Sequence, residues 1–341
     1  MPELSVQQSL DETDLGNILE LLEAADHADG FPGLSDQQRI ELTDSVHRGD
    51  SAHRGDFLAV LLRITDDDPL VAYGQLSPVS DGWEMSVVVH PDHRMPVTFG
   101  DQDSTTRSPA DPSNLAVSGA GSVHDLPADR ILEALVASAH VLGATHVRLW
   151  VRDVRAQDDL QAARHGLSPE RDLYQLRCPL PLIASVARSS APVPVRTFVP
   201  GIDEKAWLIA NNRAFAGHLE QGGWDLETLL ARQREPWFDP AGFLVYDPDG
   251  PVAAWCWTKV HADHDPPLGE IYVIGVDPDY QGKGLGRVLT QSGLDHLSSL
   301  GLTEGMLYVD ADNTAARSLY AAMGFTLHHI DRAYGTVLGA G

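Results

Sequence analysis

The spacing of apolar and polar residues in the second half of the chain predicts helices and strands in a definite order. Recurrence every 3.6 residues predicts helices, and alternation or short apolar runs between turn residues predict strands. We expect helices at 203–215, 226–232, 285–299 and 314–323, and strands at 243–246, 252–257, 270–276, 306–310 and from 325 to about 332. Three strands followed by alternating helices and strands predict an α/β fold (α+β, with a mixed sheet) that starts antiparallel.

The first half of the chain carries the same order of elements. "VVVHPDHR" (87–94) aligns with "IGVDPDYQ" (274–281), and "RLWVRD" (148–153) aligns with "MLYVDA" (306–311). The offset is 187 residues in the first pair and 158 in the second, so the first copy contains 29 extra residues. They fall at 95–126, a polar stretch rich in Ser, Asp, Gly and Pro. The chain is therefore predicted to be a tandem repeat with an insertion in its first copy.

A proline-rich stretch separates the two copies. "RCPLPLIASVARSSAPVPVR" (177–196) combines prolines with small polar residues, which predicts a linker at 181–194. The predicted domains are 1–180 and 195–341. At 341 residues the chain is long enough for each domain to bury its own core.

Composition and charge exclude several classes of function. The formal charge is -25, with 24 Lys and Arg against 49 Asp and Glu, which disfavours nucleic acid. A cationic small substrate suits this charge, although acidity that only keeps the surface solvated is the alternative. No apolar run approaches the roughly 20 residues of a membrane span, and the N-terminus lacks the pattern of a secretory signal. We expect a cytoplasmic monomer that binds neither nucleic acid nor membrane.

Few residues favour a metal site. The two cysteines, Cys178 and Cys256, provide neither a disulfide framework nor a thiolate cluster. "HADHD" (261–265) spaces two histidines for a metal, but the stretch reads as a solvated, Pro-flanked loop. We therefore expect no metal.

A glycine-rich stretch, "QGKGLG" (281–286), lies between a predicted strand and a predicted helix. Glycines at Q-x-x-G-x-G spacing allow a tight turn, and the helix start offers unpaired N–H groups to an anion. Lys283 and Arg287 add positive charge. The order of elements does not fit a Rossmann fingerprint, and the Gly-Lys-Ser/Thr ending of a Walker A loop is absent. The alternative is a tight turn that binds nothing.

A second motif follows, "YVDADNTAARSLYAAMGF" (308–325). With the glycine-rich stretch it resembles the GCN5-related N-acetyltransferase (GNAT) superfamily. That resemblance implies two tandem GNAT domains, acetyl-CoA as cosubstrate, a bulged fourth strand that splays from the fifth, and pyrophosphate on the glycine-rich loop. The cofactor-binding residues that it implies are Ile274, Gly275, Val276, Gln281, Gly282, Lys283, Gly284, Leu285, Gly286, Arg287, Asn313, Thr314, Ala315, Ala316, Arg317 and Ser318. For Asn313, helix capping is the alternative.

Acetyl transfer to an amine requires three groups, and each has a candidate. The resemblance implies that the backbone N–H of Val276 stabilises the oxyanion formed at the thioester carbonyl. Glu270, at the start of "GEIYVIGV", is predicted to accept the proton of the ammonium; the alternative is a solvated carboxylate at a strand end. Tyr320 matches the family position for an acid that protonates the CoA thiolate; the alternative is a core aromatic.

The second half also resembles one branch of this superfamily, the mycothiol synthases of actinobacteria. The resemblance is carried by "NNRAFAGHLEQGGWDLETL", "EPWFDPAGFLVY", "WTKVH" and "GEIYVIGVDPDYQGKGLGRVLT". It implies acetylation of the cysteinyl amine of Cys-GlcN-Ins to give mycothiol. The substrate-binding residues that it implies are Asp36, Glu204, Lys259, Glu270 and Tyr308. Carboxylates, a lysine and a phenol suit a substrate with many hydroxyls and one ammonium.

The first copy departs from the pattern. "PDHRMPVTFGDQDSTTRSPADP" contains no Q-x-x-G-x-G, so the first domain is either a scaffold without ligand or a non-catalytic acetyl-CoA site at Val87, Val88 and Val89. Two other functions stay open for the whole chain: acetylation of a different cationic amine, and non-catalytic acyl-CoA binding.

Overall fold

The computed structural model describes residues 3–47, 57–65, 68–79, 81–94, 126–183, 193–218 and 221–339. Contacts divide the chain into two compact units. Unit 1 comprises Met1–Glu170 and Arg332–Gly341, and unit 2 comprises Arg171–Asp331. The insertion at 95–126 lies almost wholly outside the described residues, as does most of the predicted linker at 181–194.

Unit 1 is a mixed sheet packed with helices. Its elements are β1 (Glu3–Gln7), α1 (Glu12–Asp29), α2 (Asp36–His47), β2 (Leu58–Arg63), β3 (Leu70–Val79), β4 (Gly82–Val89), α3 (Pro127–Val141), β5 (His146–Val151), α4 (Ala156–Arg164), the start of β6 (Ser168–Pro179) and the end of β12 (Thr326–Val337). The strand order is β1-β2-β3-β4-β5-β12, and β4 and β5 pair in parallel.

Unit 2 repeats this arrangement. Its remaining elements are β7 (Arg196–Thr197), α5 (Glu204–Ala214), α6 (Leu226–Gln233), β8 (Phe243–Tyr246), β9 (Ala254–His261), β10 (Leu268–Val276), α7 (Leu285–Ser299), β11 (Glu304–Asp310) and α8 (Thr314–Ala322). The strand order is β7-β8-β9-β10-β11-β6, with one parallel pair, β10 and β11.

The internal repeat is visible in the strand pairing. β4 pairs with β5 only over Trp83–Met85, and β10 pairs with β11 only over Gly269–Ile271. A 3-10 turn follows in both copies, at Pro91–His93 and at Pro278–Tyr280. The predicted α/β fold with a mixed sheet and the predicted tandem repeat are both confirmed.

The two units are bounded differently from the predicted domains. β6 and β12 are each 12 residues long, and the division by contacts falls inside both strands. Leu173–Pro179 of β6 pairs with β11, whereas Arg332–Val337 of β12 pairs with β5. The strand that completes the sheet of unit 2 therefore lies before the predicted linker, and the strand that completes the sheet of unit 1 lies after it. A boundary at 181–194 would assign each of these strands to the other unit.

Two apolar layers cover the sheet of unit 2. One packs α7 and α8 around Leu289, Leu294 and Met323. The other packs α5 and α6 around Phe243 and three tryptophans, Trp207, Trp255 and Trp257, each 0% exposed. These three tryptophans pack the core of unit 2.

One predicted boundary is wrong in a way that affects the site. The third strand of unit 2 continues to His261 rather than ending at 257, because "TKVH" keeps alternating between the two faces of the sheet. His261 therefore lies in a strand and not in a solvated loop.

Candidate active site

The glycine-rich loop forms an open turn ahead of α7. Gly282 and Gly284 have φ angles of 74° and 78°, which other residues rarely adopt. Gly284 is the N-cap of α7, and its side without a Cβ faces open space, with no heavy atom within 4 Å of an added Cβ. No side chain caps the first turn of this helix. Its N–H groups are thus available to an anion, and these residues fit the pyrophosphate of CoA.

Two side chains fix the loop to its surroundings. Gln281 Nε2 donates to the carbonyl of Val276 at 3.3 Å, which ties the loop to the end of β10. Lys283 Nζ donates to the carbonyl of Asp279 at 3.2 Å and lies 4.6 Å from the ring centroid of Tyr280. The ammonium therefore stays at the loop, where it adds to the positive end of the α7 dipole.

The strand before the loop leaves its partner after three residue pairs. β10 is paired with β9 along its length, with a bulge between Ile271 and Val273, whereas its pairing with β11 ends at Ile271. Asp277 donates its N–H to Ala253 at 2.9 Å, on the β9 side. Because backbone groups alternate along a strand, the N–H of Val276 faces the opposite side, where β11 has diverged. The bulge and splay implied by the resemblance are both present.

Three polar side chains, those of Glu270, Lys259 and Tyr308, lie on the face of the sheet that α5 and α6 cover. Glu270 pairs in register with Lys259 of β9 on one side and with Met306 of β11 on the other. Tyr308, two residues beyond Met306, lies on this face too, because Leu307 and Val309 point into the α7 layer. The predicted substrate residues of these three strands therefore share one face.

Glu270 is buried and has a partner that the sequence analysis missed. Its Oε2 lies 2.7 Å from Nε2 of His261, and the two side chains are 9% and 21% exposed. The i, i+2 spacing of Lys259 and His261 in "KVH" was the available signal, since it places both on the face of Glu270 once the strand extends to His261.

The other candidate substrate residues have local partners. Lys259 Nζ lies 4.7 Å from the ring centroid of Trp237 and 5.6 Å from that of Tyr272. Tyr308 accepts a hydrogen bond from Gln175 Nε2 at 2.8 Å. Glu204 is buried in the first turn of α5, and its Oε1 accepts from the N–H of Gly201 at 2.6 Å.

Tyr320 lies in the α7 and α8 layer. It is 6% exposed and packs against Phe325, with 5.6 Å between ring centroids. Burial raises the pKa of its phenol well above the usual value, and the thiol of Cys256 contributes in the same direction. Tyr320 therefore stays protonated throughout the neutral range.

Known proteins resemble this chain along its whole length. The family model described as "Acetyltransferase (GNAT) family" matches residues 210–325. A protein of Thermobispora bispora described as "Mycothiol acetyltransferase" is 40% identical over 337 residues, 97% of this chain and 99% of that protein. The chain belongs to the mycothiol acetyltransferase family. A protein of Streptomyces coelicolor with the same description is 39% identical over 328 residues, 94% of this chain and 90% of its own length.

Solved structures confirm the tandem GNAT fold of this family member. A GCN5-related N-acetyltransferase from Sphaerobacter thermophilus superimposes with a TM-score of 0.62 at 21% identity, covering 98% of this chain and 95% of that one. A tandem GNAT protein from the clavulanic acid biosynthesis pathway gives 0.62 at 17% identity, with both chains fully covered. The chain is therefore an acetyltransferase, and GNAT acetyltransferases use acetyl-CoA.

The second motif of this family member is largely engaged in its own helix. Asn313 Oδ1 caps α8 by accepting from the N–H of Ala316 at 3.1 Å. Arg317 donates to the carbonyl of Ala311 and lies 4.8 Å from the ring of Tyr174. The hydroxyl of Ser318 donates to the carbonyl of Thr314 at 2.7 Å. The amide NH2 of Asn313 remains the group best suited to a ligand.

The predicted residues of unit 1 occupy two elements. Val87, Val88 and Val89 end β4, which pairs with β3 without a bulge, and Val88 is buried. Asp36 begins α2. The stretch that lacks the glycine motif lies mostly outside the described residues, and the roles of Asp36 and Val87–Val89 stay predictions.

The described residues lack two further kinds of feature. No helix in this part of the chain is long and apolar enough to cross a membrane. No group of three or more His, Cys, Asp or Glu in the same residues could hold a metal ion.

Proposed function

We propose that the protein transfers the acetyl group of acetyl-CoA to the cysteinyl amine of Cys-GlcN-Ins, which forms mycothiol. The names of its relatives support the product. The observation that carries the chemistry is a buried carboxylate, Glu270, on the same strand as the splayed segment that ends at Val276. In this proposal β10 carries both the base, Glu270, and the oxyanion donor, the N–H of Val276.

The glycine-rich loop binds the pyrophosphate in this proposal. The N–H groups of Gly284, Leu285 and Gly286 would donate to the phosphate oxygens, with Lys283 and Arg287 supplying charge. The remaining cofactor contacts are the splayed backbone from Ile274 to Val276, with Gln281 and Gly282 of the loop, and the start of α8 from Asn313 to Ser318.

The chemical step needs a neutral amine. Glu270 accepts a proton from the substrate ammonium, and the nitrogen lone pair then attacks the thioester carbonyl carbon. The Val276 N–H donates to the oxyanion of the tetrahedral intermediate, a contact worth about 3 kcal/mol. As the carbonyl re-forms, the electron pair of the C–S bond leaves with sulfur, and Tyr320 donates its proton to the departing thiolate. The attacking nitrogen loses its second proton to solvent as the amide forms, and Tyr320 takes a proton back from solvent.

The substrate contacts in this proposal are polar. Lys259 and Tyr308 flank Glu270 on the same sheet face, and Glu204 opens the helix that packs on that face. These groups suit hydroxyls of a pseudodisaccharide. Asp36 is included on the strength of the family resemblance alone.

Mass spectrometry of the acetylated product tests the proposal. Release of CoA thiol is a poor readout, because Cys-GlcN-Ins carries a thiol of its own. Wild-type protein should acetylate Cys-GlcN-Ins faster than a panel of aminoglycosides and polyamines. The seryl analogue, which lacks the thiol, should still be acetylated on nitrogen if the amine attacks directly.

Two variants assign the base. Glu270→Gln should lower kcat by about two to four orders of magnitude, the range for loss of a general base. Glu304→Gln is the matched control, because that carboxylate lies on β11 in an ion pair with Arg177. Acetylation of a panel amine in preference to Cys-GlcN-Ins, or full activity of Glu270→Gln, would contradict the proposal.

A further inference from the structure

His261 contacts Glu270 and has no part in the mechanism above. Its Nε2 lies 2.7 Å from Oε2, which is within hydrogen-bond distance. A carboxylate can only accept hydrogen bonds, so a short contact between these atoms needs a proton on Nε2. His261 then donates to Oε2, and Oε1 takes no part in this hydrogen bond.

The surroundings of the pair make this contact specific. Glu270 is held on β10 and His261 on β9, so rigid antiparallel strands set their separation rather than a loop. The register places Lys259, not His261, directly opposite Glu270, so His261 reaches the carboxylate diagonally. The side chain of Glu270 is 9% exposed, and a buried carboxylate needs a donor to stay ionised.

We propose that His261 is a positioning residue for the base: it holds Glu270 ionised and turned so that Oε1 meets the substrate amine. This inference rests on the proposed function, because Glu270 must be the proton acceptor. Nδ1 of His261 takes no part in the contact with Glu270. When the amine gives its proton to Oε1, the Nε2–H bond to Oε2 keeps the carboxyl group in place for the next turnover.

The proposal predicts how the pH dependence of the reaction rate changes when His261 is replaced. Loss of the Nε2–H donor removes a hydrogen bond that favours the ionised form of the carboxyl group of Glu270. The acidic limb of the rate profile then moves to higher pH, since the base must be deprotonated to act. Other titratable groups on the strands and helix around Glu270 are unchanged by the substitution: Lys259, Tyr272, Glu304, Tyr308 and Glu204.

The test compares three variants of the full-length protein with acetyl-CoA and Cys-GlcN-Ins. His261→Ala should lower kcat about tenfold and move the acidic limb of kcat/KM up by about one pH unit, with KM for acetyl-CoA unchanged. His261→Gln keeps an N–H donor, so its limb should move less. His264→Ala is the matched control, because His264 is half-buried outside β9 and its Nδ1 contacts the carbonyl of Pro266 at 2.8 Å.

A second readout does not depend on activity. The 15N spectrum of histidine-labelled protein, with the His261 signals assigned by their loss in His261→Gln, should show a proton on Nε2. Glu270→Gln should change this pattern. An unprotonated Nε2, or an acidic limb that stays in place in His261→Ala, would overturn the inference. If wild-type protein fails to acetylate Cys-GlcN-Ins, the proposed function fails instead, and the spectrum still reports on the contact.

Discussion

At the scale of single residues, the local partner decides what a predicted site residue can do. Asn313 and Glu204 each use one oxygen to complete a helix start. Glu270 instead has its partner on a neighbouring strand, and its second oxygen takes no part in that contact. Residue type and motif spacing predict that these groups belong to the site, but the direction of each lone pair depends on neighbours that the motif does not contain.

Tyr320 supports a prediction about pH. Because burial raises the pKa of the phenol in the folded state above its value of about 10 in the unfolded chain, its contribution to stability is complete below pH 10. That contribution is lost as pH rises further toward the folded pKa, since the unfolded chain then ionises first. Tyr320→Phe removes this loss. The free energy of unfolding of the variant should therefore fall less steeply than that of wild type above pH 10.

Denaturant titrations between pH 7 and 11 measure this difference. Tyr73 and Tyr334 also have raised pKa values, but they are present in both proteins and cancel. The same variant should show a lower kcat with little change in KM for acetyl-CoA if Tyr320 is the acid. Parallel stability curves for the two proteins would contradict the burial argument, and an unchanged kcat would remove Tyr320 from the mechanism.

At the scale of elements, the sequence pattern predicts whether a segment is a helix or a strand better than it predicts which strands pair with each other. β8 and α7 have the predicted bounds, because turn residues or glycines stand at their ends. β9 was predicted too short, since polar Lys259 and His261 resemble the loop that follows. The pairing of β6 with β11 and of β12 with β5 could not be predicted, because alternation of apolar and polar residues identifies a strand but not the strand beside it.

The two ends of α7 offer a matched pair of substitutions. Gly284 at the start and Gly301 just past the end both have positive φ, and an added Cβ would meet no atom within 4 Å at either. An aspartate at either position carries a similar backbone strain, about 1 kcal/mol or more. Only Gly284→Asp places a carboxylate where the pyrophosphate is proposed to bind, so it should weaken acetyl-CoA binding at least tenfold.

Calorimetry of acetyl-CoA binding distinguishes the two variants, and thermal unfolding confirms that both are folded. Gly301→Asp should keep the wild-type Kd despite its loss of stability. Equal affinities for the two variants would show that the loop does not hold the phosphates.

At the scale of the whole molecule, the two copies of the tandem repeat share their architecture and differ in the strand that precedes the loop. Both copies have a short parallel pairing followed by a 3-10 turn, yet the β10 register contains a bulge and the β4 register contains none. Lys259 and His261, the two polar residues next to the proposed base, lie on β9. The strand in the same position of the first copy is β3, which reads "LVAYGQLSPV" and is almost wholly buried. The proposed chemistry therefore belongs to unit 2.

The strands that make up unit 2 determine which fragment of the chain we expect to fold alone. A fragment of residues 193–341 begins at the end of the predicted linker and lacks Leu173–Pro179, which pairs with β11 over its full length. It would leave β11 as an exposed, largely apolar edge, the kind of edge that promotes aggregation. A fragment of residues 171–331 contains every strand of unit 2 and should give a cooperative unfolding transition and a dispersed amide spectrum, whereas 193–341 should be insoluble or collapsed. The two fragments are similar in length, so size does not account for a difference. A folded, monomeric 193–341 fragment would show that β6 is dispensable and that the sequence-predicted boundary at 181–194 is the functional one.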